Sequence, residues 1–213
     1  MTKTVLITGC SSGIGRETAI YLNGRGYRVL ATARKDADVE DLQKAGLISF
    51  RLDLDSSDSI REAVRSVEEL TDGKLDAVFH NGAYGQAGAL EDLGRDALRQ
   101  QFETNLFGWH ELNNLLLPML RAAGEARIIF NSSVLGLVCM PYRGAYNASK
   151  FALEAYADTL RLEHRDTGIH VVLIEPGPIR SRFRQHAYEA FVRHVDRAKS
   201  RHRLTYQRMV DRL

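Results

Sequence analysis

The stretch Val5-Leu6-Ile7-Thr8-Gly9-Cys10-Ser11-Ser12-Gly13-Ile14-Gly15 decides the reading of the fold. Three consecutive apolar residues run into a glycine. Helical spacing then takes over at Ile14, Ala19, Ile20 and Leu22, in a helix expected over 16–23. A buried strand, a glycine turn and a helix form the first unit of a dinucleotide-binding fold. The glycines permit a tight turn, a close approach of backbone to a pyrophosphate, and helix–strand packing. Free N–H groups at the helix start favour an anion. A glycine turn without a ligand has the same local pattern, so the rest of the chain must arbitrate.

The rest of the chain alternates. After a first strand over 3–8, strands are predicted over 27–33, 48–52, 76–79, 127–131 and 170–174. Helices are predicted over 39–45, 57–70, 95–120 and 145–164, followed by two basic helices over 186–199 and 202–213. This alternation implies an α/β architecture: a single-domain Rossmann-type doubly wound parallel sheet with helices on both faces and a ligand at the carboxyl ends of the strands. The glycine loop, Arg34, Asp53, Asn81, Ser133 and Pro176 all fall at such ends. No domain boundary or repeat interrupts 1–213, so the chain is read as one domain, with 180–213 as a lid.

Two details refine the ligand and the chemistry. Arg34-Lys35 closes the second strand, where an acidic residue would accept from a ribose 2′-hydroxyl and an arginine suits a 2′-phosphate. NADP(H) is therefore preferred, with NAD(H) possible. In Ala145-Tyr146-Asn147-Ala148-Ser149-Lys150, Tyr146 and Lys150 are four apart and share a helix face. A nearby cation lowers a phenol pKa from about 10 toward the working range, so the pair can serve as an acid/base device. Asn105 is a poor mid-helix residue placed between Phe102 and Leu106.

Composition sets the outer limits. The 213 residues are 44% hydrophobic and 26% charged, ordinary for a globular domain. Two cysteines exclude a disulfide scaffold and fit a reducing, cytoplasmic setting. Met1 leads almost directly into the first strand, so no signal segment is expected. No run of about 18 apolar residues is present, so no transmembrane segment is expected. From Arg180 onward, 10 Lys/Arg stand against 3 Asp/Glu, an excess of +7, while the preceding 179 residues carry −5. This basic end is read as a solvated helix face over the substrate, with no nucleic acid as partner. The rival reading is a membrane-surface or nucleic-acid patch, in which the apolar side, Tyr188 to Val195, would face lipid.

Taken together, these residues resemble the short-chain dehydrogenases/reductases, in particular their hydroxysteroid/retinol dehydrogenase-like branch. Thr8-Gly9-x-x-x-Gly13-x-Gly15 matches the family's glycine loop, Tyr146-x-x-x-Lys150 its catalytic pair, and Ser133, thirteen residues before Tyr146, its serine. Asn105 matches the fourth member of the tetrad, and Pro176-Gly177 with Ser181 the segment that holds the nicotinamide carboxamide. The resemblance implies hydride exchange between NADP(H) and a ketone, aldehyde or alcohol. Tyr146 is then the general acid/base, Ser133 the carbonyl-oxygen stabiliser, Lys150 the ribose binder that depresses the Tyr146 pKa, and Asn105 the water relay. Gly9, Ser11, Ser12, Gly13, Ile14, Gly15, Arg34, Asp53, Leu54, Asn81, Gly82, Pro176, Gly177, Ile179 and Ser181 are the expected cofactor contacts, with Tyr146 and Lys150, and no metal. A homodimer or homotetramer is expected. Leu137, Val138, Met140, Phe183 and Tyr188 suggest an apolar substrate. A catalytically silent NADP-binding sensor or scaffold is the alternative. Two departures stand out: the family's Asn-Asn-Ala-Gly is His80-Asn81-Gly82-Ala83 here, and a seventh strand expected after the last helices is missing.

Overall fold

Apolar runs such as Thr4–Ile7 and Ala77–His80 are buried on both faces, which only a sheet covered on both sides permits. The computed structural model describes residues 2–210. Its strands are β1 (Thr4–Ile7), β2 (Arg28–Ala33), β3 (Ile48–Arg51), β4 (Ala77–His80), β5 (Ala126–Asn131) and β6 (Ile169–Ile174). They form one parallel sheet in the order β3-β2-β1-β4-β5-β6, the order of dinucleotide-binding sheets. The order reverses between β1 and β4, and the cleft opens where their loops diverge. β3 and β6 are the outer strands of this sheet among the described residues.

Alternation along the strands sends side chains to two cores. Val5, Ile7, Val29, Ala31 and Phe79 pack under α1 (Gly13–Gly24) and α2 (Asp36–Lys44). Leu6, Leu30, Val78, Ile128 and Phe130 pack under α3 (Ser57–Thr71), α5 (Gly108–Ala122) and α6 (Gly144–Glu163). A third, smaller core joins Ala87, Ala89 and Leu93 to Phe191, Val195 and Tyr206. It docks α7 (Phe183–His194) and α8 (Arg203–Val210) onto the segment after β4.

Three expectations change. The single helix predicted over 95–120 is α4 (Arg95–Phe102), a π-helical turn (Glu103–Phe107) and α5. The cause is tertiary: Asn105 turns inward to the backbone of Tyr84, and Gly108 crosses the Leu54 carbonyl so closely that a Cβ could not fit. The basic helix predicted over 186–199 begins and ends earlier, at Phe183 and His194. Its successor is described only as Arg203–Val210, the remainder of 202–213 lying outside the described residues. Phe191 and Val195 are buried against the body of the protein, so the apolar side of α7 faces protein and not lipid; Val192 departs from that side and is exposed.

Candidate active site

The glycine loop is braced from behind. Gly9 has φ +69°, and a Cβ there would lie 2.5 Å from Gly82 Cα, so the two backbones touch. Thr8 Oγ1 accepts from the N–H groups of Asn81 and Gly82 at 2.9 and 2.8 Å. The Asn81 amide donates to the carbonyls of Thr8 and Gly9 at 2.9 and 3.1 Å, and its oxygen accepts from Asn131 at 2.9 Å. Asn81 thus spends its side chain on the loop. Cys10 is fully buried, and burial pushes its thiol up to about 12, which leaves it inert. The start of α1 has no side-chain cap and no acidic residue in its first turn, so its N–H groups remain for an anion.

One end of the cleft is a cavity of about 180 Å³. Ser11, Arg34, Asp53, Leu54 and Gly82 line it from the sheet side. His186, Glu189, Ala190 and Arg193 line it from α7, a wall that the sequence reading placed over the substrate. The signal was available: these four follow the i, i+3, i+4, i+7 spacing of a single helix face.

Ser133, Tyr146 and Lys150 meet beyond the carboxyl end of β5. Ser133 lies beside the Tyr146 phenol, whereas Ser132 donates to Glu154, so the structure separates two adjacent serines. Lys150 is 1% exposed and donates to the Asn131 carbonyl at 2.7 Å. Its ammonium is 4.7 Å from the Trp109 ring centroid and 5.7 Å from that of Tyr146. Burial pushes Lys150 down to about 7, with Glu154 opposing. The Tyr146 pKa is raised by burial, although Ser133 pulls it back. Burial, and not the neighbouring cation, therefore dominates at the phenol, against the expected depression. The phenol is covered by Phe183, and the cation is itself desolvated. Trp109, which sequence reasoning missed, walls Lys150 and donates from Nε1 to the Gly82 carbonyl at 2.8 Å. It is the chain's single tryptophan, four residues after Asn105, and that spacing was its signal.

Asn105 is fully buried. Its oxygen accepts from Tyr84 N at 3.2 Å, and its amide donates to Tyr84 O at 3.0 Å and Ser149 Oγ at 3.3 Å. It thereby ties the loop after β4 to the helix that carries Lys150. His80 belongs to β4 and not to the loop. Its ring stacks on Phe130 at 4.9 Å and on Trp109 at 5.6 Å, with the Asn113 side chain beside it.

The segment after β6 crosses the other end of the cleft. The Pro176 carbonyl accepts from Val134 N at 3.2 Å. Ser181 sits against Gly13, the Arg182 guanidinium donates to the Ser11 carbonyl at 2.6 Å, and Phe183 packs on Gly85 and Tyr146. Gly177 and Ile179 stand exposed. Leu137, Val138 and Met140 also expose more than half of their surface. The residues fit a dinucleotide: glycines that admit close backbone, an uncapped helix start, and cations at the adenosine end. Residues 181–183 would have to give way at the nicotinamide end.

Comparison with known proteins agrees with this geometry. Residues 3–190 match the family model described as short chain dehydrogenase. The oxidoreductase YbbO of Escherichia coli (strain K12) is 51% identical over 183 residues, 86% of this chain and 68% of that protein. The 3-ketodihydrosphingosine reductase of Bacteroides thetaiotaomicron is 37% identical, over 85% of this chain and 65% of its own length. The alcohol dehydrogenase of Thermococcus sibiricus, solved with 5-hydroxy-NADP, superposes with a TM-score of 0.80 at 26% identity, over 87% of this chain and 80% of that one. Among the described residues no helix is long and apolar enough to cross a membrane. The chain belongs to the short-chain dehydrogenase family, oxidoreductases that act on CH–OH groups with a nicotinamide dinucleotide.

Proposed function

We propose that the protein is an NADP(H)-dependent oxidoreductase that interconverts an apolar ketone or aldehyde with its alcohol. The observation that carries this is the meeting of Tyr146, Ser133 and Lys150 at one end of a cleft whose other end holds Arg34. Gly9, Ser11 to Gly15, Asp53, Leu54 and Gly82 would seat the dinucleotide, with Asn81 bracing the loop. Pro176 to Ser181 would hold the carboxamide. The bound dinucleotide supplies or accepts the hydride. Tyr146 gives its phenolic proton to the carbonyl oxygen in the reducing direction and recovers it in the other. The Ser133 hydroxyl donates to that oxygen as charge develops. Lys150 holds ribose hydroxyls and, once its ammonium is recharged beside them, favours the Tyr146 phenolate. Asn105 positions the water that joins Lys150 to solvent. Its bond to Ser149, next to Lys150, supports that role.

An apolar substrate is supported by the exposed Leu137, Val138 and Met140 beside the site, and agrees with the name of the Bacteroides relative. A homodimer or homotetramer is supported by exposed Phe107, Leu115 and Phe151 around α5 and α6. Fluorescence titration with NADPH and NADH, on the wild type and Arg34→Ala, tests the cofactor reading. Tight NADPH binding that Arg34→Ala weakens selectively supports it, and equal binding of NADH removes it. A screen of apolar aldehydes and ketones for NADPH oxidation then tests the substrate class.

A further inference from the structure

The cleft-facing side of α7 is chemically unlike the rest of that helix. Ala187, Ala190 and Phe191 are buried, and Phe191 belongs to the third core. The neighbouring face presents His186, Glu189 and Arg193 to the cavity that contains Arg34. The far end of α7 is anchored: Gln86 donates to the Ala190 carbonyl at 3.3 Å, and His194 Nδ1 lies 2.8 Å from Gln86 Oε1. These bonds hold this face of α7 on the cleft.

The charges around His186 come from every element that meets there. Arg34 and Lys35 approach from the end of β2, and Arg182 and Glu189 from its own segment. Arg193, Asp53 and Asp55 line the same cavity. Among the described residues, no carboxylate forms an ion pair with Arg34, Lys35, His186 or Arg193. Arg34 on one wall and His186 and Arg193 on the other form a concave set of donors that suits a phosphate, which carries about two negative charges and three acceptor oxygens, with Asp53, Asp55 and Glu189 as the carboxylates of the same cavity.

We propose that His186 is a further cofactor-binding residue, and that its imidazolium joins Arg34 across the cleft on the phosphate at the ribose 2′ position. This rests on the NADP(H) reading of the cleft. Burial, opposed by Glu189 and reinforced by Arg182, Arg34 and Lys35, holds the imidazole below its ordinary value. A phosphate raises it. A group whose pKa rises on binding adds affinity in full below its free value and loses it as pH rises through its bound value.

Dissociation constants for NADP+ and NAD+, measured by calorimetry at pH 6 and pH 8.5, test this in wild type, His186→Gln, His186→Arg and Arg34→Ala. At pH 6, His186→Gln should weaken NADP+ about five- to ten-fold and leave NAD+ unchanged, with the gap closing at pH 8.5. His186→Arg should keep NADP+ binding at both pH values. If Arg34→Ala weakens NADP+ selectively but His186→Gln does not, the role of His186 is overturned and the NADP(H) reading stands. If wild type binds NAD+ as tightly as NADP+, both fall.

Discussion

The Phe183 ring stands edge-on over Tyr146, with centroids 5.5 Å apart and ring planes at 64°. A Cβ on Gly85 would meet the same ring at 2.9 Å, so Phe183 fills the space beside the phenol. The Tyr146 phenol, the proposed general acid/base, is therefore covered, and burial raises its pKa. Phe183→Ala should uncover it. An aromatic pair of this kind contributes about 0.5–1.5 kcal/mol, so NADPH should bind roughly 2- to 10-fold more tightly. The gain should appear in the association rate by stopped-flow fluorescence. A gain confined to dissociation would contradict a covering role.

Lys150 is a second place where function and stability oppose each other. A fully buried ammonium whose pKa falls to about 7 costs stability wherever it is charged. The folded value lies below the unfolded one, so the unfolded chain holds more protons between about pH 7 and 10.5, and stability rises with pH across that window. Lys150→Met should abolish turnover yet stabilise the fold by about 2 kcal/mol at pH 6, after the lost bond to the Asn131 carbonyl is counted. Urea unfolding at pH 6 and 9 checks both points, since the advantage of the variant should shrink at the higher pH.

These two residues also show what a sequence can carry. Tyr146 and Lys150 were legible because a four-residue spacing on one helix is local. The strands and glycine loop were legible for the same reason: apolar runs ending in glycine. The π turn was not, because Glu103–Phe107 keeps the helical pattern of its neighbours and is opened by Tyr84 and by the Leu54 carbonyl, both remote in sequence. The cleft face of α7 had its i, i+3, i+4, i+7 spacing, but nothing local says which wall a helix will cover. His80 reads as a loop residue by alignment with a motif, yet it ends a buried strand because its ring fits between Phe130 and Trp109.

His80 gives the acid limit of the fold. Burial pushes its imidazole down to about 3, with the Asn113 amide pulling the other way. The folded value is depressed, so the stability it reports is present above about pH 6.5 and is lost as pH falls toward 3. The loss is about 1.4 kcal/mol per unit of pH. His80→Leu should remove this contribution, and its urea midpoint should fall less steeply between pH 6 and 4 than that of the wild type. Parallel slopes in the two proteins would show that other groups govern acid unfolding.

Tyr206 fixes the far end of the segment that covers the cleft. Its hydroxyl is fully buried, accepts from Ala89 N at 2.8 Å and donates to Asp92, which also accepts from Ser200 at 2.6 Å. Glu91 beside it pairs with Arg201 at 2.8 Å and with His202. The buried hydroxyl is the strongest of these ties, because exposed ion pairs contribute little. Tyr206→Phe keeps the ring against Phe191 and Tyr142 but strands the Ala89 N–H, at a cost of about 1–3 kcal/mol. α7 and α8 share this core, so the cost should fall on them as a unit and leave the sheet untouched. Amide exchange should quicken by roughly 10-fold or more across 183–208 and remain unchanged in β1, β4 and β5. Exchange that quickens equally in those strands would mean that α7 and α8 unfold only with the whole domain.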